Sequence, residues 1–189
     1  EKFTLEELIA LFNLKSLNKS SSIFDYKKLN SLNKYFIKEL QIDDIYKEFT
    51  HLTDDFNRFS DEKIIEIIEA QRDRCKTIKE IIDESQFFLS DDLAIDKNLI
   101  DKFLVEDNNK IFSSVLSKLD LINNWSLSNI KDAIADVMHE LDLELPKFAK
   151  PIRVALTGSL SSPSIDLTIY LLGKESCIKR ICAARTLIA

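Results

Sequence analysis

The chain has 189 residues, enough for one large domain or two small ones sharing an interface. Hydrophobic residues make up 45% and charged residues 31%, an ordinary balance for a globular protein, whereas only two glycines and three prolines disfavour turn-rich β architecture and glycine-loop nucleotide sites. The net charge of −6 alone argues against nucleic acid as a partner. Its distribution changes that reading: residues 146–189 hold Lys147, Lys150, Arg153, Lys174, Lys179, Arg180 and Arg185 against Asp166 and Glu175, a balance of +5 that leaves −11 on the rest. Such asymmetry hints at a polyanion-facing end on an acidic body; the alternative is a solvated basic face.

The first residues, 1–14, form an amphipathic segment rather than a charged start followed by an apolar stretch, so no signal peptide is expected. No apolar run approaches the about 18–20 residues that cross a bilayer. Cys75, Cys177 and Cys182 have neither disulfide-framework nor zinc spacing and are expected as reduced thiols of a cytoplasmic protein with no membrane partner.

Helical periodicity recurs in chain order. Thr4-Leu-Glu-Glu7 is a capping box with Phe3 and Leu8 placed as its hydrophobic staple, and Leu5, Leu8, Ile9 and Phe12 are expected to form a buried stripe. Helices follow over 24–38 and 42–52. Ser60 caps a helix running through Gln71, with Ile64, Ile67 and Ile68 inside. Thr77-Ile-Lys-Glu80 is a second capping box, opening a helix to about Phe88. A weaker helix spans 98–104. Ile111, Phe112, Val115, Leu116, Leu119 and Ile122 then share one stripe, and Leu127, Ile130, Ile134, Val137, Met138 and Leu141 share another, capped by Ser126, with Trp125 a core anchor between them. In the last third, one helix stops at Gly158, Ser162 caps a second with Pro163 in its first position, and Gly173 ends that one before a final helix over 174–188. The expected fold is all-α, with two packed helical subdomains, 1–90 and 91–189, divided near the Ser-Asp-Asp at 90–92. Asp54-Asp55 and Asp91-Asp92 read as caps or loops, and no metal ligand set is expected.

Three elements then carry a family resemblance. Residues 151–163, Pro-Ile-Arg-Val-Ala-Leu-Thr-Gly-Ser-Leu-Ser-Ser-Pro, are followed by Leu172-Gly-Lys-Glu175 and Ile178-Lys-Arg-Ile181. Upstream stand Phe24-Asp-Tyr-Lys-Lys-Leu-Asn30 with Leu32-Asn-Lys-Tyr35, and Arg74-Cys-Lys-Thr-Ile-Lys-Glu80 with Phe87-Phe88. Together they resemble the anticodon-binding C-terminal part of bacterial glutamyl-tRNA synthetases, whose patterns there are approximately plRxALTGxxxsP, FDxxKLxWLNxxY and RxKTLxE…FF; Ser31 departs from the family's tryptophan. The HIGH and KMSKS motifs of the family's Rossmann catalytic domain do not occur in these residues. The resemblance therefore implies an RNA-reading portion without catalytic residues, needing no cofactor of its own, of an enzyme that joins glutamate to tRNA with ATP and magnesium. Its implied partner is glutamate tRNA, with glutamine tRNA left open, and the chain is expected to be monomeric.

Reading unstacked bases takes donors that reach their pairing edges beside cations that hold phosphates. Arg153 and Thr157 lie four apart on one helix face, next to the helix start expected at Ser162 and Pro163. The resemblance implies that Arg153, Ser162 and Pro163 contact anticodon bases. It also implies that Arg74 reads the third base, with Arg72 the fallback. A guanidinium offers donors only, so it bonds to the acceptors of C and is repelled by the donors of G. Candidate phosphate contacts are Arg72, Lys76, Lys179 and Arg180, the last two expected to be solvated. A helical protein–protein adaptor is the competing reading.

Overall fold

The computed structural model describes residues 2–16, 23–90 and 93–188. Among them are eleven α-helices, three short 3-10 turns and no strand, so the fold is all-α. The helices are α1 (Leu5–Leu11), α2 (Tyr26–Glu39), α3 (Ile42–Leu52), α4 (Asp61–Arg72), α5 (Ile78–Ser85), α6 (Lys97–Phe103), α7 (Asn109–Asp120), α8 (Leu127–Glu140), α9 (Leu145–Thr157), α10 (Ile165–Leu172) and α11 (Lys174–Arg185).

Local chemistry sets most boundaries. Thr4 accepts from the Glu7 amide and the Glu7 carboxylate accepts from the Thr4 amide, a reciprocal capping box. Thr77 accepts from the Glu80 amide, but Glu80 reaches one residue further back, to the Lys76 amide at 2.6 Å. Asp25, Ser60 and Ser126 cap α2, α4 and α8 through their side chains. Gly158 ends α9 at φ 69°, and a Cβ there would meet the Ala94 carbonyl oxygen at 3.3 Å, so both the left-handed backbone and the close approach require glycine.

Burial resolves into two cores and a joint. Ile45, Phe49, Phe56, Ile64, Ile68 and Ile81 centre the first, built by α3, α4 and α5. The second gathers Phe112, Ile130, Phe148, Ile152, Ile169 and Ile181 from α7 to α11, with Trp125 packed against it and donating its indole N–H to the Tyr170 carbonyl at 3.2 Å. Between the two, Ile67 of α4 meets Phe88 and Leu171 of α10. Tyr170 also donates to Glu66 at 3.3 Å, so a polar contact flanks the apolar joint.

Two expectations fail. The stripe of α1 is not buried: Leu5, Leu8, Ile9 and Phe12 are 51–68% exposed, because no helix among the described residues packs over this seven-residue segment. Correct periodicity gives an apolar face, and burial needs something opposite it. The helix expected to begin at Pro163 begins instead at Ile165, with Ser164 as its N-cap. The Ser162 hydroxyl is taken up elsewhere, accepting from Arg153 and donating to the Pro163 carbonyl. The Asp91-Asp92 pair lies outside the described residues. Asp54-Asp55 forms a turn in which Asp54 accepts from Asn57.

Candidate nucleic-acid interface

Arg153 stands one turn before the end of α9, half-buried, where the chain turns back toward α10. Its Nε donates to Ser162 Oγ at 2.8 Å and an Nη to the Pro163 carbonyl at 3.4 Å. Arg74 follows α4 and reaches the same loop from the other core, donating to Ser161 Oγ at 2.6 Å. Its other Nη donates to Gln71 Oε1 at 2.9 Å. Gln71 is fully buried and is itself fixed by donating to the Glu84 carbonyl at 2.8 Å. Ser161 passes its own proton toward Glu84 Oε2 at 3.3 Å. Two guanidiniums from opposite halves thus grip adjacent hydroxyls of one loop.

Burial, and then the neighbouring Arg74 charge, lower the pKa of Arg153 from its ordinary value. Arginine nevertheless stays protonated at any ordinary pH, so the pair is a fixed concentration of positive charge. Neither guanidinium forms an ion pair with a carboxylate among the described residues. Each therefore keeps N–H donors beyond those spent on the loop. An acceptor-rich partner, such as a base edge or phosphate, suits that pair.

Thr157 lies one turn after Arg153, as its spacing predicts, but is 6% exposed. Its hydroxyl donates to the Arg153 carbonyl at 2.9 Å and accepts from the Ser159 amide at 3.3 Å, shaping the turn. Ser162 and Pro163 are buried at the loop's base, and Thr168 donates to the Pro163 carbonyl. Lys76 and Lys179 are exposed, Lys76 two residues from Arg74 and Lys179 on α11.

Two candidate phosphate contacts are structural instead. Arg180, expected in solvent, is 3% exposed and donates to the carbonyls of Leu156, Phe87 and Ser90 at 2.6–2.8 Å. It ties the last turn of α9 to the turn after α5 and is almost wholly removed from solvent. Arg72 pairs with Glu69 at 3.1 Å and donates to the carbonyls of Ile37, Lys38 and Leu40. Those are orphan carbonyls at the end of α2, which a helix C-terminus leaves unsatisfied. Arg72 is thus held against the end of α2, whereas Arg74 reaches the Ser161 loop. Sequence reasoning missed Gln71, Glu84 and Ser161. Gln71 did carry a signal, a polar side chain continuing the stripe of Ile64, Ile67 and Ile68.

The arrangement is that of an all-α chain in which two cations from separate helical cores meet on one loop. The family model described as the anticodon binding domain matches residues 29–185, and the chain belongs to that family. Among curated relatives, it is 37% identical over 185 residues to a glutamate–tRNA ligase of Wigglesworthia glossinidia brevipalpis, covering 96% of this chain and 39% of that protein. A glutamate–tRNA ligase of Francisella tularensis subsp. novicida is 32% identical over 191 residues, covering 97% of this chain and 40% of that one. The chain thus spans about two fifths of the length of these relatives. The crystal structure of a glutamate tRNA ligase from Elizabethkingia meningosepticum in complex with its amino acid superposes with a TM-score of 0.86 at 22% identity. It covers 99% of this chain and 37% of that one. The glutamate-tRNA synthetase of Elizabethkingia anophelis gives 0.81 at 22% identity, covering 97% and 36%. These two likenesses show the fold.

Proposed function

We propose that this chain reads the anticodon of glutamate tRNA as part of a longer glutamate–tRNA ligase. The observation that carries the reading is the convergence of Arg74 and Arg153, from separate cores, on the Ser161–Ser162 loop with donors to spare. In this reading Arg153 and Arg74 bond to bases, Thr157, Ser162 and Pro163 shape the surface beside them, and Lys76 and Lys179 hold phosphates. The two subdomains, 1–90 and 91–189, each contribute one arginine, so the site exists only where they meet.

The whole ligase would join L-glutamate to its tRNA through an adenylate, with ATP and magnesium held by residues outside this chain. Whether glutamine tRNA is also accepted turns on Arg74. We further propose a monomer acting in the cytoplasm; no helix among the described residues is long and apolar enough to cross a membrane. Gel-shift titration with glutamate tRNA and an unrelated tRNA, at two salt concentrations, tests the reading. Preferential binding of glutamate tRNA that weakens with salt is expected, and equal affinity for both would refute it.

A further inference from the structure

A concavity lies beside the first turns of α9, ahead of Arg153 in the chain. A cavity of about 410 Å³ opens between the end of α6, the start of α7 and the start of α9. Its walls are apolar, formed by Phe103, Ile111, Leu141, Leu143, Pro146 and Pro151. Asp142, in the left-handed conformation at φ 49°, ends α8 there, and the Leu143 amide donates back to the Met138 carbonyl at 2.9 Å. That stop brings Leu141 and Leu143, on either side of Asp142, to the same wall.

Four exposed lysines, Lys102, Lys110, Lys147 and Lys150, line this cavity against the single carboxylate of Asp107. None of the four forms an ion pair among the described residues, whereas Lys118, Lys131 and Lys174 of the same half each pair with a carboxylate. Lys102 lies 5.5 Å from the centre of the Phe103 ring, and the charge of Lys110, Lys147 and Lys150 at the cavity is left for an outside partner. Its walls suit a flat apolar group, and its volume lies in the range of ligand pockets.

Helix α9 connects this cavity to the arginine pair. Lys147, Lys150 and Arg153 stand three residues apart, neighbours on the helix surface that together span about 9 Å of its axis. A basic track beside an apolar platform is what a single strand of nucleic acid needs, phosphates on the cations and an unstacked base against the wall. We infer that the RNA strand whose bases meet Arg74 and Arg153 continues along this ridge. Its phosphates lie on Lys147, Lys150, Lys102 and Lys110, and one unstacked base enters the cavity. The inference rests on the anticodon reading, from which its test is separable.

The test compares this chain with the Lys110→Gln/Lys147→Gln/Lys150→Gln variant, checked for unchanged helicity, in titrations with glutamate tRNA across a salt series. Each phosphate contact on a single strand contributes about 0.7 to the slope of log affinity against log salt, so three lysines should flatten it by about 2. The affinity ratio for transcripts differing at the third anticodon base should not move. A second arm replaces loop bases singly with 2-aminopurine. One position should change its fluorescence on binding this chain but not the Leu143→Ser variant. An unchanged slope, while Arg153→Ala still weakens binding, overturns the ridge and spares the anticodon reading. So does a fluorescence scan in which no position distinguishes Leu143→Ser. Failure of the unaltered chain to bind tRNA overturns both.

Discussion

Arg74 and Arg153 hold neighbouring hydroxyls of one loop, Ser161 at 2.6 Å and Ser162 at 2.8 Å, although one arginine belongs to each helical core. The site is therefore a product of the joint between halves, and its parts can be separated by substitution.

Arg153→Ala removes the donors facing the loop and leaves the packing of α9 through Phe148, Ile152 and Val154 in place. Loss of an arginine contact to a base typically costs about 1–3 kcal/mol. Binding of glutamate tRNA should weaken by that amount with circular dichroism unchanged. Unchanged affinity would make Arg153 a support for the Ser162 turn and no more.

Arg180→Met should unfold the chain more easily without changing the salt dependence of any RNA binding. It strips donors from the carbonyls of Leu156, Phe87 and Ser90, and the loss falls mainly on the buried Leu156 carbonyl, for which an unmade bond costs about 1–3 kcal/mol. Denaturant titration should show a loss of about 1–3 kcal/mol, with Arg180→Lys restoring part of it. A flattened salt slope in place of lost stability would return Arg180 to the phosphate contacts.

Much of this was legible in the chain because the signals are local. Capping residues Thr4, Ser60, Thr77 and Ser126 and the terminating Gly158 and Gly173 act within a few residues of themselves, and each does so in the structure. What needed the fold was the choice among partners. Ser162 has the composition of an N-cap, but Arg153, nine residues earlier, claims its hydroxyl. Charge counting gave Arg180 the same weight as exposed Lys179. Its place beside Cys177, Ile181 and Ala184, the buried stripe of α11, was the available warning. For Arg72 no local pattern points to the carbonyls of α2, more than thirty residues away.

Arg72→Ala should lower stability by about 1.5–3 kcal/mol, the range for hydrogen bonds to a charged group, by freeing the end of α2. Thermal unfolding would register the loss, while discrimination at the third anticodon base stays as it was. A change in discrimination with stability intact would reinstate Arg72 as a reader.

The thiols differ in reactivity. Burial pushes Cys177 up to about 12 and, helped by Glu80 and Glu84, Cys75 up to about 11, whereas Cys182 is exposed. At pH 8 a disulfide reagent should modify one thiol of the folded chain quickly and all three after denaturation. Because the folded pKa values are raised above the ordinary 9.0, the unfolded chain loses these protons first. Stability should therefore hold below about pH 9 and fall as pH climbs toward 11 and 12. Rapid modification of two or more thiols in the folded state would contradict this burial.

Whether Arg74 reads the third anticodon base is decided by the ratio of affinities for two glutamate tRNA transcripts differing only there, C against G. A guanidinium donates to the acceptors of C and meets the donors of G, so the unaltered chain should favour the C-ending transcript. Arg74→Gln, which can donate and accept, should bind the C-ending transcript modestly less well and shift the ratio toward G. No preference in the unaltered chain, or a ratio that Arg74→Gln leaves unchanged, would show that Arg74 does not read this base.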